Sequence, residues 1–165
     1  MSQAAGFEER AFRDALGLFP TGVAIATTTG PDGEQIGITV NSFSSVSLRP
    51  PLVSVSVGRH LLSFAAFNSA PGFAVNLLKG SQADLSSRFA RAGTDKWGGV
   101  ARRVSVHGGV LLEEALAGFD CRVFQRFEAG DHVILVGEVM SLNTQPEDAP
   151  LLYFRSGYRR LAEQA

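Results

Sequence analysis

Gly37-Ile38-Thr39-Val40-Asn41-Ser42-Phe43-Ser44-Ser45-Val46-Ser47-Leu48-Arg49-Pro50-Pro51-Leu52-Val53 begins as a strand and ends as one, with a middle crowded by hydroxyl and amide groups. Buried donors and acceptors must be paired, so a core strand has no use for so many. A surface loop, in turn, is not usually followed by an apolar run such as Pro51-Leu52-Val53-Ser54-Val55-Ser56-Val57. The middle reads as a polar ledge on a β scaffold, suited to a flat, hydrogen-bonding ligand. Within it, Ser44 to Pro51 reads as turn chemistry that aims the ledge and launches the next strand.

Upstream, Phe7, Ala11, Phe12, Ala15, Leu16 and Phe19 recur at spacings of three to five, the apolar stripe of an amphipathic helix that Pro20 stops. Gly22 to Thr29 and Gln35 to Val40 read as a hairpin around Gly30-Pro31-Asp32-Gly33. Downstream, Leu52 to Val57 is a strand, Arg59 to Asn68 has helical character, and Phe73 to Leu78 is again a strand. Ser81 with Asp84 three residues later predicts a capped helix running to Gly93. Thr94 to Gly109 is Gly-rich and irregular, a candidate ligand-covering segment. Phe119 to Glu128 alternates imperfectly, with Cys121, Val123 and Phe127 against Arg122, Gln125 and Arg126. Ala129-Gly130-Asp131 turns the chain into a long strand from His132 to Leu142, and Leu151 to Arg155 closes the fold. Roughly six strands with a few short helices predict a mainly β fold, a small antiparallel barrel.

The chain has 165 residues, expected to form a single domain over 1–165 that buries a core without staples. A formal net charge of −1 gives no electrostatic footprint for nucleic acid. The one cysteine, Cys121, cannot form an internal disulfide, which fits a reducing compartment. Met1 to Arg13 carries acids and lacks an apolar core, so no secretory leader is expected, and no apolar run reaches membrane-spanning length. These readings predict a soluble, cytoplasmic protein that binds neither nucleic acid nor membrane.

Several chemistries are poorly supported. No Gly-x-Ser-x-Gly elbow is present, and Cys121 has no histidine near it in sequence. His60, His107 and His132 show no metal-ligand spacing, and no Gly-x-Gly-x-x-Gly or Walker motif occurs.

The ordered motifs are more telling. Phe19-Pro20-Thr21-Gly22-Val23, the Thr39 to Val53 signature, Phe73-Ala74-Val75-Asn76-Leu77-Leu78, Leu85 to Phe89, Gly130-Asp131-His132 and Leu152-Tyr153-Phe154-Arg155 occur in order at matching separations. Together they resemble the flavin reductase family of two-component monooxygenase systems, from about Phe12 to Leu161. The resemblance implies an FMN-binding split barrel, an antiparallel Greek-key β-barrel with a few flanking α-helices. It also implies a homodimer with flavin near the interface. The implied activity is that of an NAD(P)H:flavin oxidoreductase, passing hydride from NADH or NADPH to FMN or FAD and delivering reduced flavin to a separate monooxygenase. Two alternatives stay open: a non-catalytic flavin-binding protein on the same fold, and a split-barrel oxidase acting on another substrate.

By resemblance, Thr39, Val40, Asn41 and Ser42 match the flavin-binding segment, and Ser56 and Val57 a second contact region. Asn41 can both donate and accept, which suits the pyrimidine edge of a flavin; Asn41 and Ser42 also suit a plain turn before Phe43. The flavin phosphate needs cations or backbone amides, and Ser63, Arg88 and Phe89 are the candidates, with a solvated arginine the simpler reading of Arg88. His132 matches the position that approaches the nicotinamide; bonding Asp131 in the hairpin is its simpler role. Tyr153 and Arg155 could stack on and pair with a nucleotide, or merely pack the final strand. Family members often carry glycine where this chain has Ser156.

Overall fold

The computed structural model describes residues 6–93 and 95–162. In chain order it holds helix α1 (Glu9–Leu16), then strands β1 (Thr21–Gly22), β2 (Ala24–Thr29), β3 (Gln35–Val40), β4 (Ser44–Leu48) and β5 (Pro51–Gly58). Helix α2 (Phe64–Ser69), strand β6 (Gly72–Leu77) and helix α3 (Ala83–Ala90) come next. Strands β7 (Arg102–Val104), β8 (Val110–Leu112), β9 (Ala117–Ala129), β10 (His132–Thr144), β11 (Leu152–Phe154) and β12 (Gly157–Arg159) complete the chain.

Seven strands form one antiparallel sheet in the order β3-β2-β6-β9-β10-β5-β4. The sheet curls around a core of Ala24, Ala26, Ile38, Val40, Val53, Val55, Val57, Phe73, Val75, Val133 and Leu135. The ends of the curl do not pair by backbone. Instead the Ser42 hydroxyl, just past β3, accepts from the Ser56 N–H (3.0 Å) and donates to the Ser56 carbonyl (3.3 Å) on β5. This is a split barrel in which the chain passes from β3 at one edge to β4 at the other, and Ser42 extends the β4–β5 pairing with its side chain.

A second core lies outside the barrel, where Val23, Ile25, Leu78, Phe89, Leu112 and Leu151 meet under α3 and the small sheet of β1, β11 and β12. Strand β2 is thus covered on both faces, with Ala24 and Ala26 inward and Ile25, next to Val23 before the strand, outward. Hairpin β7–β8 rides on the outer face through buried side chains. Thr27 Oγ1 donates to the Val110 carbonyl (2.6 Å), and Asn76 Oδ1 accepts from the Leu112 N–H (2.8 Å).

The structure corrects four sequence expectations. Ser44 to Leu48 is strand β4, paired with β5, rather than turn chemistry. Thr94 to Gly109 contains β7, though Thr94 itself lies outside the described residues. No side-chain cap starts α3: Gln82 occupies the cap position and its amide oxygen accepts from the Lys79 N–H (2.9 Å). The imperfect alternation of β9 is a bulge. Val123 faces Gly137 and Gln125 faces Val136, leaving Phe124 as the extra residue. One inserted residue inverts the facing of every later residue in the strand. Arg126 is therefore opposite Leu135, with Nη2 donating to the Ala70 carbonyl (2.5 Å), and Phe127 is turned out to 46 % exposure.

Candidate functional site

Strand β3 pairs with β2 on one side only. On its open side, the Gln35 and Gly37 carbonyls accept from the Trp97 indole Nε1 (2.8 Å) and the Lys96 ammonium (3.0 Å). Strand parity sends the backbone N–H and C=O of Thr39 the same way, while those of Ile38 and Val40 turn toward β2. The open edge runs along a cleft of about 420 Å³ walled by β3, the Leu61–Ser63 turn and the segment after α3. Small-molecule sites span roughly 300–1,000 Å³.

The wall opposite β3 is built by a close approach. A Cβ on Gly37 would lie 2.5 Å from the Phe89 ring, so glycine lets α3 press against the strand. Trp97 meets the Phe89 ring edge-on at 4.8 Å, and the Arg102 guanidinium covers Trp97 at 4.8 Å. Lys96 Nζ also donates to the Phe89 carbonyl (3.0 Å). An ammonium has three N–H bonds, so a third remains for a ligand. Burial lowers the Lys96 pKa from the ordinary lysine value. Arg91 and Ser63 line the same cleft, and Ser63 sits at the cap position of α2 without making a capping bond.

Of the residues singled out from sequence, Thr39, Ser63 and Phe89 border this cleft. The Thr39 hydroxyl donates to the Ser86 carbonyl (2.6 Å), so its side chain ties β3 to α3 while its backbone faces the open edge. Val40 and Val57 point into the barrel core. Asn41 is exposed beyond the end of β3. Ser42 bonds the Ser56 backbone in line with the β4–β5 ladder. Arg88 Nη1 donates to the Gly98 carbonyl (2.9 Å), clamping the covering segment.

His132 opens β10, between β5 and β9, and is not among the residues lining this cleft. It pairs with Gly58, two residues beyond Ser56, and its Nδ1 lies 2.7 Å from Asp131 Oδ1. The hydrogen bond from His132, then its charge, holds the Asp131 carboxyl below the usual carboxylate range. Tyr153 lies on β11 of the small outer sheet and Arg155 in the turn that follows it, both apart from the cleft lining. Tyr153 packs edge-on against Tyr158, whose hydroxyl lies 2.8 Å from Ser86 Oγ on α3. The Arg155 guanidinium lies 5.2 Å over the Phe154 ring. Cys121 is buried, and burial first and the neighbouring Asp120 charge second push its thiol up to about 12, which removes it as a nucleophile.

Sequence reasoning missed Lys96, Trp97 and Arg91. The available signal was the only tryptophan of the chain, beside a lysine in a Gly-rich stretch.

A family model described as the flavin reductase like domain matches residues 16–162. The chain belongs to the flavin reductase family. A flavin reductase of Pseudomonas putida is 42 % identical over 147 residues, 89 % of this chain and 86 % of that protein. An FMN reductase (NADH) of Agrobacterium fabrum is 40 % identical over 159 residues, covering 96 % of this chain and 90 % of that one. Among solved structures, the NADH:FAD oxidoreductase of Streptomyces globisporus, in complex with NAD and FAD fragments, superposes with a TM-score of 0.89 at 33 % identity, covering 99 % of both chains.

The cleft fits a flavin by its donor set. The open edge of β3 offers backbone groups to a pyrimidine ring, Phe89 and Leu61 offer an apolar wall, and Lys96, Arg91 and Ser63 offer cations and a hydroxyl to a phosphate.

Proposed function

We propose that the protein is an NAD(P)H-dependent flavin reductase whose flavin lies along the open edge of β3 and whose nicotinamide approaches His132. The observation that carries this reading is the unpaired edge of β3 beside a cleft that already holds a partly buried lysine. Bound flavin supplies a two-electron acceptor for the nicotinamide hydride. The protein supplies position. The Thr39 backbone, Asn41 and the Ser42–Ser56 pair orient the ring; Lys96, Arg91 and Ser63 hold the phosphate side; Phe89 excludes water from one face. Arg88 acts through the covering segment, and Val40 and Val57 shape the barrel beneath. Hydride transfer needs alignment rather than a base, so His132 positions the nicotinamide, its ring fixed by Asp131. Tyr153 and Arg155 would meet the outer part of the dinucleotide by stacking and ion pairing.

The reduced flavin passes to a monooxygenase component, and the chain acts as a cytoplasmic, single-domain homodimer. Relatives include a flavin-dependent trigonelline monooxygenase reductase component, and an open-sided cleft suits a flavin that leaves. The described residues include no helix long and apolar enough to cross a membrane.

Steady-state oxidation of NADH and NADPH with FMN and FAD tests the assignment and identifies the preferred pair. Absence of oxidation with all four pairings would leave only flavin binding. His132→Ala is expected to slow nicotinamide oxidation about 10-fold or more, as loss of a positioning contact does, with flavin affinity largely retained.

A further inference from the structure

Two imidazoles lean over one backbone position at the mouth of the barrel. His132 opens β10 opposite Gly58 in the ladder, and His60 follows Gly58 in the turn leaving β5. A Cβ on Gly58 would lie 2.9 Å from His60 Nδ1 and 3.5 Å from His132 Nε2. The ring centroids are 6.5 Å apart, with planes crossed at 78°. Any side chain at position 58 would fill the space the two rings share.

The neighbours also fix which nitrogen is free. His132 Nδ1 lies 2.7 Å from Asp131 Oδ1, and a carboxylate accepts rather than donates. Nδ1 of His132 is thus engaged with Asp131, and Nε2 is the ring nitrogen on the Gly58 side. A carboxylate behind an imidazole in this way is the arrangement that orients histidine toward metal ions.

We propose that His60 and His132 form a two-imidazole site for a borderline divalent cation, Zn²⁺ above all, completed by water. Imidazole nitrogens suit zinc, nickel and copper. Bond lengths of about 2.0–2.1 Å require the two rings to close over the glycine by side-chain rotation. Among the described residues no three His, Cys, Asp or Glu side chains converge as a metal cage. The site is therefore exchangeable rather than structural. Bound Zn²⁺ would stand where nicotinamide must approach, so the cation inhibits; this second half rests on the proposed function, whereas binding itself does not.

The test has two readouts on untagged, full-length protein. Calorimetric titration of Zn²⁺ into protein free of flavin and nicotinamide should reveal a site weakened at least 10-fold in His60→Ala and in His132→Ala, and about 10-fold in Asp131→Asn. His107→Ala should keep the site, because His107 pairs with Asp120 elsewhere (2.9 Å). His60→Gln, with an unchanged melting temperature, guards against misfolding. In the second readout, Zn²⁺ should raise the KM for NADH in wild type and leave His60→Ala less sensitive, with chelator restoring activity. Equal Zn²⁺ affinity in wild type and the His60→Ala/His132→Ala double variant overturns the site. Histidine-dependent binding without inhibition overturns the placement of nicotinamide at His132 and leaves the metal site standing.

Discussion

Arg155 and Ser156 both occupy left-handed backbone, at φ +49° and +58°, in the turn between β11 and β12. Two consecutive residues of this kind are the signature of a hairpin turn that favours Asn and Gly. An L-residue there costs on the order of 1–2 kcal/mol, against roughly 0.5–1 kcal/mol for glycine's extra freedom when unfolded. Ser156→Gly should therefore stabilise the protein by about 1 kcal/mol in guanidinium melts; a destabilised variant would show that the serine itself is needed. The sequence marked this position by its departure from the family, and the backbone supplies the physical reason. At the same scale, the roles of Thr39 and Ser42 were only half legible. Their hydroxyls looked like ligand groups, yet each is bonded to a protein carbonyl, of Ser86 and Ser56 respectively. What faces the cleft at Thr39 is backbone, which residue type does not reveal. Lys96 was invisible because its importance comes from the Gly37 carbonyl, 59 residues away in the chain.

Among the elements, the β4–β5 ladder is prolonged by the Ser42 side chain, which bonds the Ser56 backbone just ahead of β4. Ser42→Ala removes both bonds to Ser56 and strands a part-buried N–H and C=O, a loss of about 1–3 kcal/mol. We expect lower stability in denaturant melts together with weaker flavin binding, and recovery of both in Ser42→Thr. Unchanged affinity with lowered stability would separate these bonds from the site. Most strands and their hairpins were readable from alternation and turn residues, as with β2 and β3 around Gly33, whose φ is +79°. The bulge at Phe124 was not, because one extra residue changes the facing of β9 without changing its composition. Strand β4 was hidden for a related reason: its serines are mostly exposed on an edge, so they carry no apolar period.

For the whole molecule, the amphipathic stripe of α1 finds no cover within the described chain. No residue of α1 is buried, and Phe12 and Leu16 are 49 % and 57 % exposed. Leu48 on edge strand β4 is 90 % exposed, and Leu142 at the far end of β10 is 61 %. The bare apolar stripe of α1 is the kind of surface that association covers, and the proposed homodimer gives it a partner. Sedimentation equilibrium should give twice the chain mass, and Leu48→Glu combined with Phe12→Glu should shift it to the monomer. A wild-type monomer at micromolar concentration would end that proposal. The global topology was legible chiefly through ordered motifs across the chain; composition and periodicity alone reached a small barrel and stopped there.

The open side of β3 has a consequence for solubility. A strand with an unpaired edge is a template on which another chain can add by backbone pairing. Here the Trp97 indole occupies the Gln35 carbonyl and the Lys96 ammonium the Gly37 carbonyl, and the lysine sets a charge against the incoming strand. The residues that frame the cleft thus also act as gatekeepers against fibril-like growth, and loosening the segment after α3 would expose the molecule to aggregation as well as to loss of its ligand.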